Sequence, residues 1–183
     1  MATILDRSNT KSGWRKLAVK VKRDHVEVRA RSGFFVTNAT IDPDNSRDSD
    51  ISSALQSPLD FTSLALVARW GSIEPGKEPG KKHIRYEMHL EADPALINEA
   101  DNNHVALEFV VLAKTPEGKQ AERPLFQALD AHLTSEKVSS IHQTGVTYKG
   151  ALDLAPGEYT VRFVARDNLS GRIGSVAAPL KVE

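Results

Sequence analysis

Residues 154–165 read Leu-Ala-Pro-Gly-Glu-Tyr-Thr-Val-Arg-Phe-Val-Ala, and this stretch decides the fold. An apolar run ends at Leu154, Pro156 and Gly157 turn the chain, and Tyr159 opens the next apolar run. The arrangement is similar to the tyrosine corner of Greek-key sandwiches, in which the phenol hydroxyl bonds back to the backbone while the ring packs inside. We therefore predict structural roles for Tyr159, Pro156 and Gly157, and no reactive role for the phenol.

Short apolar runs recur before and after this corner, separated by turn signals such as Glu-Pro-Gly and Asn-Leu-Ser-Gly. Their length and spacing predict an all-β fold, an antiparallel immunoglobulin-like β-sandwich of about seven strands within residues 59–183. One segment differs, because Thr134 can cap a helix, Val138 and Ile141 lie on one helical face, and Gly145 can end it. A short helix is expected there. The predicted strands are residues 61–70, 83–90, 105–113, 125–133, 146–154, 159–166 and 173–182.

Residues 1–36 form a separate segment that predicts a β-hairpin. Residues 14–21 and 26–31 carry apolar side chains with the period of a strand, and residues 22–25 form the turn between them. Because a two-stranded ribbon alone is marginally stable in water, we expect this hairpin to dock on the sandwich, to self-associate with another chain or to move. Residues 37–58 are rich in turn formers and poor in apolar side chains, which predicts a linker.

Composition excludes several classes of function. The 183 residues include 24 basic and 24 acidic side chains, so no net positive field draws the chain to nucleic acid, which is not an expected partner. No apolar window reaches the roughly 18 residues of a spanning helix, and residues 1–10 lack the order of a signal peptide. We expect neither membrane insertion nor a targeting signal in this sequence. Cysteine is absent, which excludes a disulfide framework and thiolate chemistry.

Four stretches carry a resemblance that extends over nearly the full chain. They are Trp-Arg-Lys-Leu-Ala-Val-Lys-Val at residues 14–21, Val-Arg-Ala-Arg-Ser-Gly-Phe-Phe at 28–35, Ala-Leu-Gln-Ser-Pro-Leu at 54–59, and the run from Pro-Gly-Glu-Tyr to Ser-Gly-Arg-Ile-Gly-Ser at 156–175. Together they look like the downstream region of bacterial von Willebrand factor A-related proteins. The resemblance implies that residues 28–35 close an A-type domain and that a sandwich of unassigned role follows. It also implies an exported, adhesive parent protein, located outside the cell or in the periplasm.

Two acidic segments imitate metal loops. The A-type domain binds its divalent metal through an Asp-x-Ser-x-Ser loop, which the resemblance places upstream. Residues 6–10 (Asp-Arg-Ser-Asn-Thr) imitate that loop, but no helix follows directly, so we expect a coincidence. The cluster of Asp42, Asp44, Asp48 and Asp50 offers oxygens for calcium but lacks the central glycine and distant glutamate of a calcium loop. A solvated linker is expected instead.

The histidines and the catalytic motifs give no predicted site. Only His83 and His89 are close in sequence, and strand geometry places them about 20 Å apart on one face, too far for one metal ion. Other pairs could meet across strands, which the sequence leaves open. No nucleophile elbow, phosphate-binding glycine loop or His-Glu-x-x-His motif occurs, so we predict no catalytic residue, metal or cofactor. The histidines are His25, His83, His89, His104, His132 and His142.

Trp70 is the candidate ligand contact. It precedes Gly71 and two Pro-Gly turns, where an aromatic ring could meet a sugar or a peptide, but the favoured interpretation is the last core residue of the first sandwich strand. The expected function is a non-catalytic structural or protein-interaction module with an unidentified protein partner. The alternative is a carbohydrate-binding module.

Overall fold

The computed structural model describes residues 13–16, 33–36 and 43–183. The chain divides into two units, Met1–Ile41 and Asp42–Glu183. The imitation of a metal loop at residues 6–10 and the hairpin turn predicted at residues 22–25, with His25, lie outside the described residues. Within those residues, no helix is long and apolar enough to cross a membrane.

The first unit contains a pair of short strands. Strand β1 (Gly13–Lys16) pairs antiparallel with strand β2 (Gly33–Val36), and Trp14 lies opposite Phe35. β1 overlaps the predicted first arm (residues 14–21), whereas β2 begins two residues beyond the predicted second arm (residues 26–31).

The second unit contains the predicted sandwich. Its strands are β3 (Leu66–Pro75), β4 (Lys82–Leu90), β5 (His104–Lys114), β6 (Leu125–His132), β7 (Val146–Leu154), β8 (Gly157–Asp167) and β9 (Ile173–Val182). One sheet has the order β3-β4-β7 and the other the order β6-β5-β8-β9. All neighbouring strands are antiparallel. The all-β class and the antiparallel sandwich are therefore confirmed.

The main core lies between the two sheets, and strand alternation selects the side chains that enter it. In β4, Ile84, Tyr86, Met88 and Leu90 are buried, whereas the residues between them are more exposed. Phe163 of the opposite sheet meets Tyr86 edge to face, with the ring centroids 5.4 Å apart. Each large apolar side chain buried in this way stabilises the fold by about 1.5–3 kcal/mol.

Helix α2 (Ser135–Thr144) lies between β6 and β7, where the sequence predicts it. The side chain of Thr134 caps its first turn by accepting from the backbone N–H of Lys137. Gly145 ends the helix with a φ of 73°. A Cβ at this position would lie 2.0 Å from the carbonyl oxygen of Leu90, so the site admits only glycine without rearrangement.

Helix α1 (Pro43–Gln56) corrects the linker prediction for these residues. Ile51, Ala54 and Leu55 are buried against the outer face of the four-stranded sheet. The prediction was wrong because it weighed the number of turn formers, whereas apolar side chains at positions i, i+3 and i+4 give a helix one apolar face. Packing on that face outweighs weak helix propensity. The side chains beneath the helix are Val110, Leu112, Val164 and Ile173.

Candidate interaction surface

The predicted tyrosine corner is formed at the start of β8. The hydroxyl of Tyr159 donates to the carbonyl oxygen of Ala155 at 2.9 Å, the backward bond that the motif predicts. The ring is half-buried against the main core rather than fully enclosed. A Cβ on Gly157 would lie 3.2 Å from the hydroxyl oxygen, so glycine leaves room for the phenol. Pro156 is exposed on the turn. These contacts are consistent with the structural roles predicted for Tyr159 and Gly157.

Trp70, the candidate ligand contact, is used mainly for packing. Its indole N–H donates to the carbonyl oxygen of Pro179 at 3.2 Å. Its ring meets Phe163 edge to face at a centroid distance of 5.4 Å. Trp70 therefore joins the edge strands β3 and β9 and closes one side of the sandwich.

The remaining surface of Trp70 lines a cavity of about 580 Å³ at the three-stranded sheet, together with Arg69, Arg85 and Lys149. The Nε of Arg85 lies 3.3 Å from Glu74, and a hydrogen bond from Ser72, followed by that from Arg85, lowers the pKa of Glu74. Exposed ion pairs of this kind contribute little to stability.

A row of charged side chains, buried where they leave the sheet and partly exposed where they leave the helix, holds helix α1 to the four-stranded sheet. The Nε of Arg47 on the helix donates to Glu108 of β5 at 2.7 Å, and Glu108 is 3% exposed. Arg166 of β8 reaches Asp50 of the helix at 3.1 Å. Arg162, four positions before Arg166 on the same face of β8, donates to the carbonyl oxygen of Ala54 at 3.0 Å. These charges stabilise the helix–sheet contact.

Sequence reasoning did not identify this row. The sequence does contain a pattern that indicates it. Glu108 interrupts an otherwise apolar strand, and Arg162 and Arg166 lie four positions apart in another strand. Charged side chains in a strand with apolar residues on both faces indicate a buried ion pair.

His104 and His132 form one of the cross-strand pairs that the sequence left open. They lie opposite each other on β5 and β6, with ring centroids 4.8 Å apart. The Nε2 of His104 lies 2.8 Å from Asp130, and its Nδ1 lies 3.0 Å from Asp101. The hydrogen bond with Asp130, supported by that with Asp101, raises the pKa of His104. In the described part of the chain, no group of three or more potential ligands could hold a metal ion.

Strand β6 is an open edge of the four-stranded sheet. It pairs with β5 on one side, and no described residue pairs with its other side. Leu125 is 41% exposed and Phe126 is 55% exposed. Phe126 also lines an apolar groove of about 260 Å³ beside helix α1, with Ile51 and Leu55 of the helix. The open edge of β6 thus lies beside a groove that could accept an apolar side chain.

No protein-family model matches the chain, and no curated protein matches it. The resemblance to von Willebrand factor A-related proteins therefore stays a prediction.

Proposed function

We propose that the chain is a non-catalytic structural and protein-interaction module that belongs to a larger exported, adhesion-type protein. The observation that carries the interaction is the open edge of β6, with Phe126 and Leu125 exposed beside the groove of helix α1. Extended peptides bind such edges through backbone hydrogen bonds, and neighbouring pockets select their side chains. The exported and adhesive setting rests on the resemblance to von Willebrand factor A-related proteins alone.

The strand order supports an immunoglobulin-like assignment. Strands β3, β4 and β7, the first, second and fifth of the sandwich, form one sheet, and β5, β8 and β9 lie together in the other. Strand β6, the fourth of the sandwich, belongs to the sheet of β5, β8 and β9. In the constant-type immunoglobulin domain, the fourth strand belongs instead to the sheet of the first, second and fifth strands. This placement makes β6 an edge strand of the four-stranded sheet.

The state of the buried charges supports a module without catalysis. Glu108, Arg162 and Arg166 are engaged with helix α1 and the segment that follows it. Asp167 accepts the backbone N–H of Leu169 at 3.1 Å and the hydroxyl of Ser170. A catalytic site requires a nucleophile, a base and an orienting group that can contact a substrate. The four buried charged side chains instead bind other groups of the protein. A hydrolytic activity abolished by a single substitution would overturn this part of the proposal.

Peptide selection tests the interaction. Random peptides displayed on phage would be selected on the full chain, and the enriched peptides would be measured on two variants. Phe126→Lys should weaken their binding at least tenfold, about 1.4 kcal/mol, because it places a charge on the binding edge. Ile73→Lys is the matched control, since Ile73 is also exposed (48%) but belongs to the other sheet. Selected peptides that bind both variants equally, or a selection that yields no binder, would contradict the proposed role of β6.

Carbohydrate binding is the second candidate, and the cavity beside Trp70 favours it. An aromatic ring flanked by Arg69, Arg85 and Lys149 offers both an apolar surface and hydrogen-bond donors to a sugar. A glycan array probed with the full chain should then give binding that Trp70→Ala abolishes while the fold persists by circular dichroism. An array without signal, or binding retained by the folded variant, would count against it.

A further inference from the structure

We propose that the open edge of β6 binds the same edge of a second copy of the chain in an antiparallel pair, which joins two four-stranded sheets into one. The inference rests on the proposed function, because it names the protein partner of the same edge.

Two of the sandwich's four sheet edges carry protection against pairing. Strand β3 has a register shift between Trp70 and Ile73 and ends at Pro75. Strand β9 is covered where the backbone N–H of Ser175 donates to the carbonyl oxygen of Phe61 at 2.9 Å. Bulges, prolines and covering segments are devices that prevent edge-to-edge association.

The remaining two edges differ in charge. Strand β7 carries Lys149 and Asp153 within its length. Strand β6 begins with Leu-Phe-Gln-Ala-Leu at residues 125–129, which contains no charge and no proline. Its register with β5 continues without a shift. Charged side chains disfavour pairing at an edge, and β6 lacks them over this run.

The pattern of side chains in β6 is self-complementary about Gln127. A two-fold axis perpendicular to the sheet at Gln127 brings Leu125 opposite Leu129 of the partner subunit. The same axis brings the large Phe126 opposite the small Ala128 of the partner subunit. Directly opposed residues of an antiparallel pair share one face, and apolar pairs of this kind stabilise a sheet. Each contact occurs twice in a symmetric dimer.

Charge favours an antiparallel partner that is a copy of this strand. Arg123 precedes the uncharged run and is exposed. Asp130 follows the run, and its side chain is 74% exposed. In an antiparallel pair centred on Gln127, Arg123 lies opposite Ala131 of the partner subunit, one position from the partner's Asp130, so opposite charges lie at the same end of the pair. Parallel pairing would instead bring like charges together.

The interface between two β6 strands is small, and its size limits the affinity of the dimer. A pair of single strands buries less than the roughly 1,200 Å² at which specific stable interfaces begin. The dimer should therefore be weak and appear only at high concentration, with a Kd on the order of 100 µM.

Sedimentation equilibrium of the full chain, from about 1 µM to about 1 mM, measures this association. The wild-type chain should dimerise reversibly, and Phe126→Lys should raise the Kd at least tenfold, because the two-fold axis places two added charges at one interface. Ile73→Lys should leave the Kd unchanged. A chain that is monomeric throughout, or a dimer that survives Phe126→Lys through another surface such as the N-terminal hairpin, would overturn the proposal.

A cysteine variant tests the register. The natural chain contains no cysteine, so Gln127→Cys introduces a unique thiol on the proposed axis. Opposed residues of an antiparallel pair have Cα atoms about 4.5–5.5 Å apart, within disulfide range. Mild oxidation should link Gln127→Cys chains through a disulfide, while Ile73→Cys chains stay unlinked. Equal linking of both variants, or none at Gln127→Cys, would refute the centred pair.

The two proposals can fail separately. If the chain stays monomeric but the selected peptides still require Phe126, the second copy is excluded and the interaction module stands. If neither association nor peptide binding occurs at β6, both proposals fall.

Discussion

Replacing Arg162 with methionine should lower the free energy of unfolding by about 3–5 kcal/mol, as when one member of a buried ion pair is removed. Arg162 is 5% exposed. Its guanidinium donates to Asp60 at 2.6 Å, to Ser175 at 2.9 Å and to the carbonyl oxygen of Ala54 at 3.0 Å. It also donates to the carbonyl oxygen of Leu59. Methionine has similar reach but donates nothing, so these acceptors lose their partner. The lower end of the range is expected, because Asp60 is 48% exposed and can be hydrated.

Urea denaturation followed by far-UV circular dichroism measures this loss. Arg69→Met is the matched control, because Arg69 is exposed on β3 and its replacement should change stability by less than about 0.5 kcal/mol. If Arg162→Met does not fold, Arg162→Lys keeps the charge without the planar fork, and its loss should be about 1–3 kcal/mol. A loss below about 1 kcal/mol for Arg162→Met would refute the role of this guanidinium in holding helix α1.

Three further substitutions test other contacts. Tyr159→Phe removes the corner hydrogen bond and should cost about 0.5–1.5 kcal/mol in urea denaturation, and an unchanged stability would contradict that bond's role. The carboxylate of Asp130 raises the pKa of His104 above 6.5, so its stabilising effect is complete below that value and is lost as pH rises through the raised pKa. His104→Gln should therefore lower Tm more at about pH 5 than at about pH 8, and an equal effect would exclude the charged pair. Gly145→Ala should lower Tm well beyond Gly80→Ala, because both have positive φ but only Gly145 lacks space for a Cβ; equal losses would argue against that close approach.

The sandwich could be predicted because each strand has a local sequence pattern. Turn signals and alternating side chains mark each strand, and the observed strands fall within a few positions of the predicted ones. The first predicted strand, residues 61–70, begins instead at Leu66. The preceding segment leaves the three-stranded sheet and pairs with β9 through Thr62 and Gly174. A change of sheet depends on contacts between distant residues, so local periodicity could not show it.

Helix α1 could not be predicted by counting turn formers, because its stability comes from the surface beneath it. Three apolar side chains and a set of ion pairs hold it to strands more than fifty positions away in sequence. The same limit applies to the histidine pair, since only the register of β5 with β6 brings His104 beside His132. The tyrosine corner was accessible because its partners lie within four residues.

The position of helix α1 has a consequence for the proposed interaction. The helix covers the outer face of β5, β8 and β9, whereas the residues of β6 are mostly exposed. Binding at β6 therefore adds a strand beside an existing helix-covered sheet and requires no opening of the core. Weak association at this edge is compatible with a stable module.

Residue-resolved amide hydrogen exchange on the full chain tests most directly whether helix α1 and the sandwich form one unit. The amides of residues 51–55 should exchange about as slowly as those of β5 and β8, because all of them open only when the unit unfolds. Slow exchange in the sandwich together with unprotected amides at residues 51–55 would contradict the packing of helix α1.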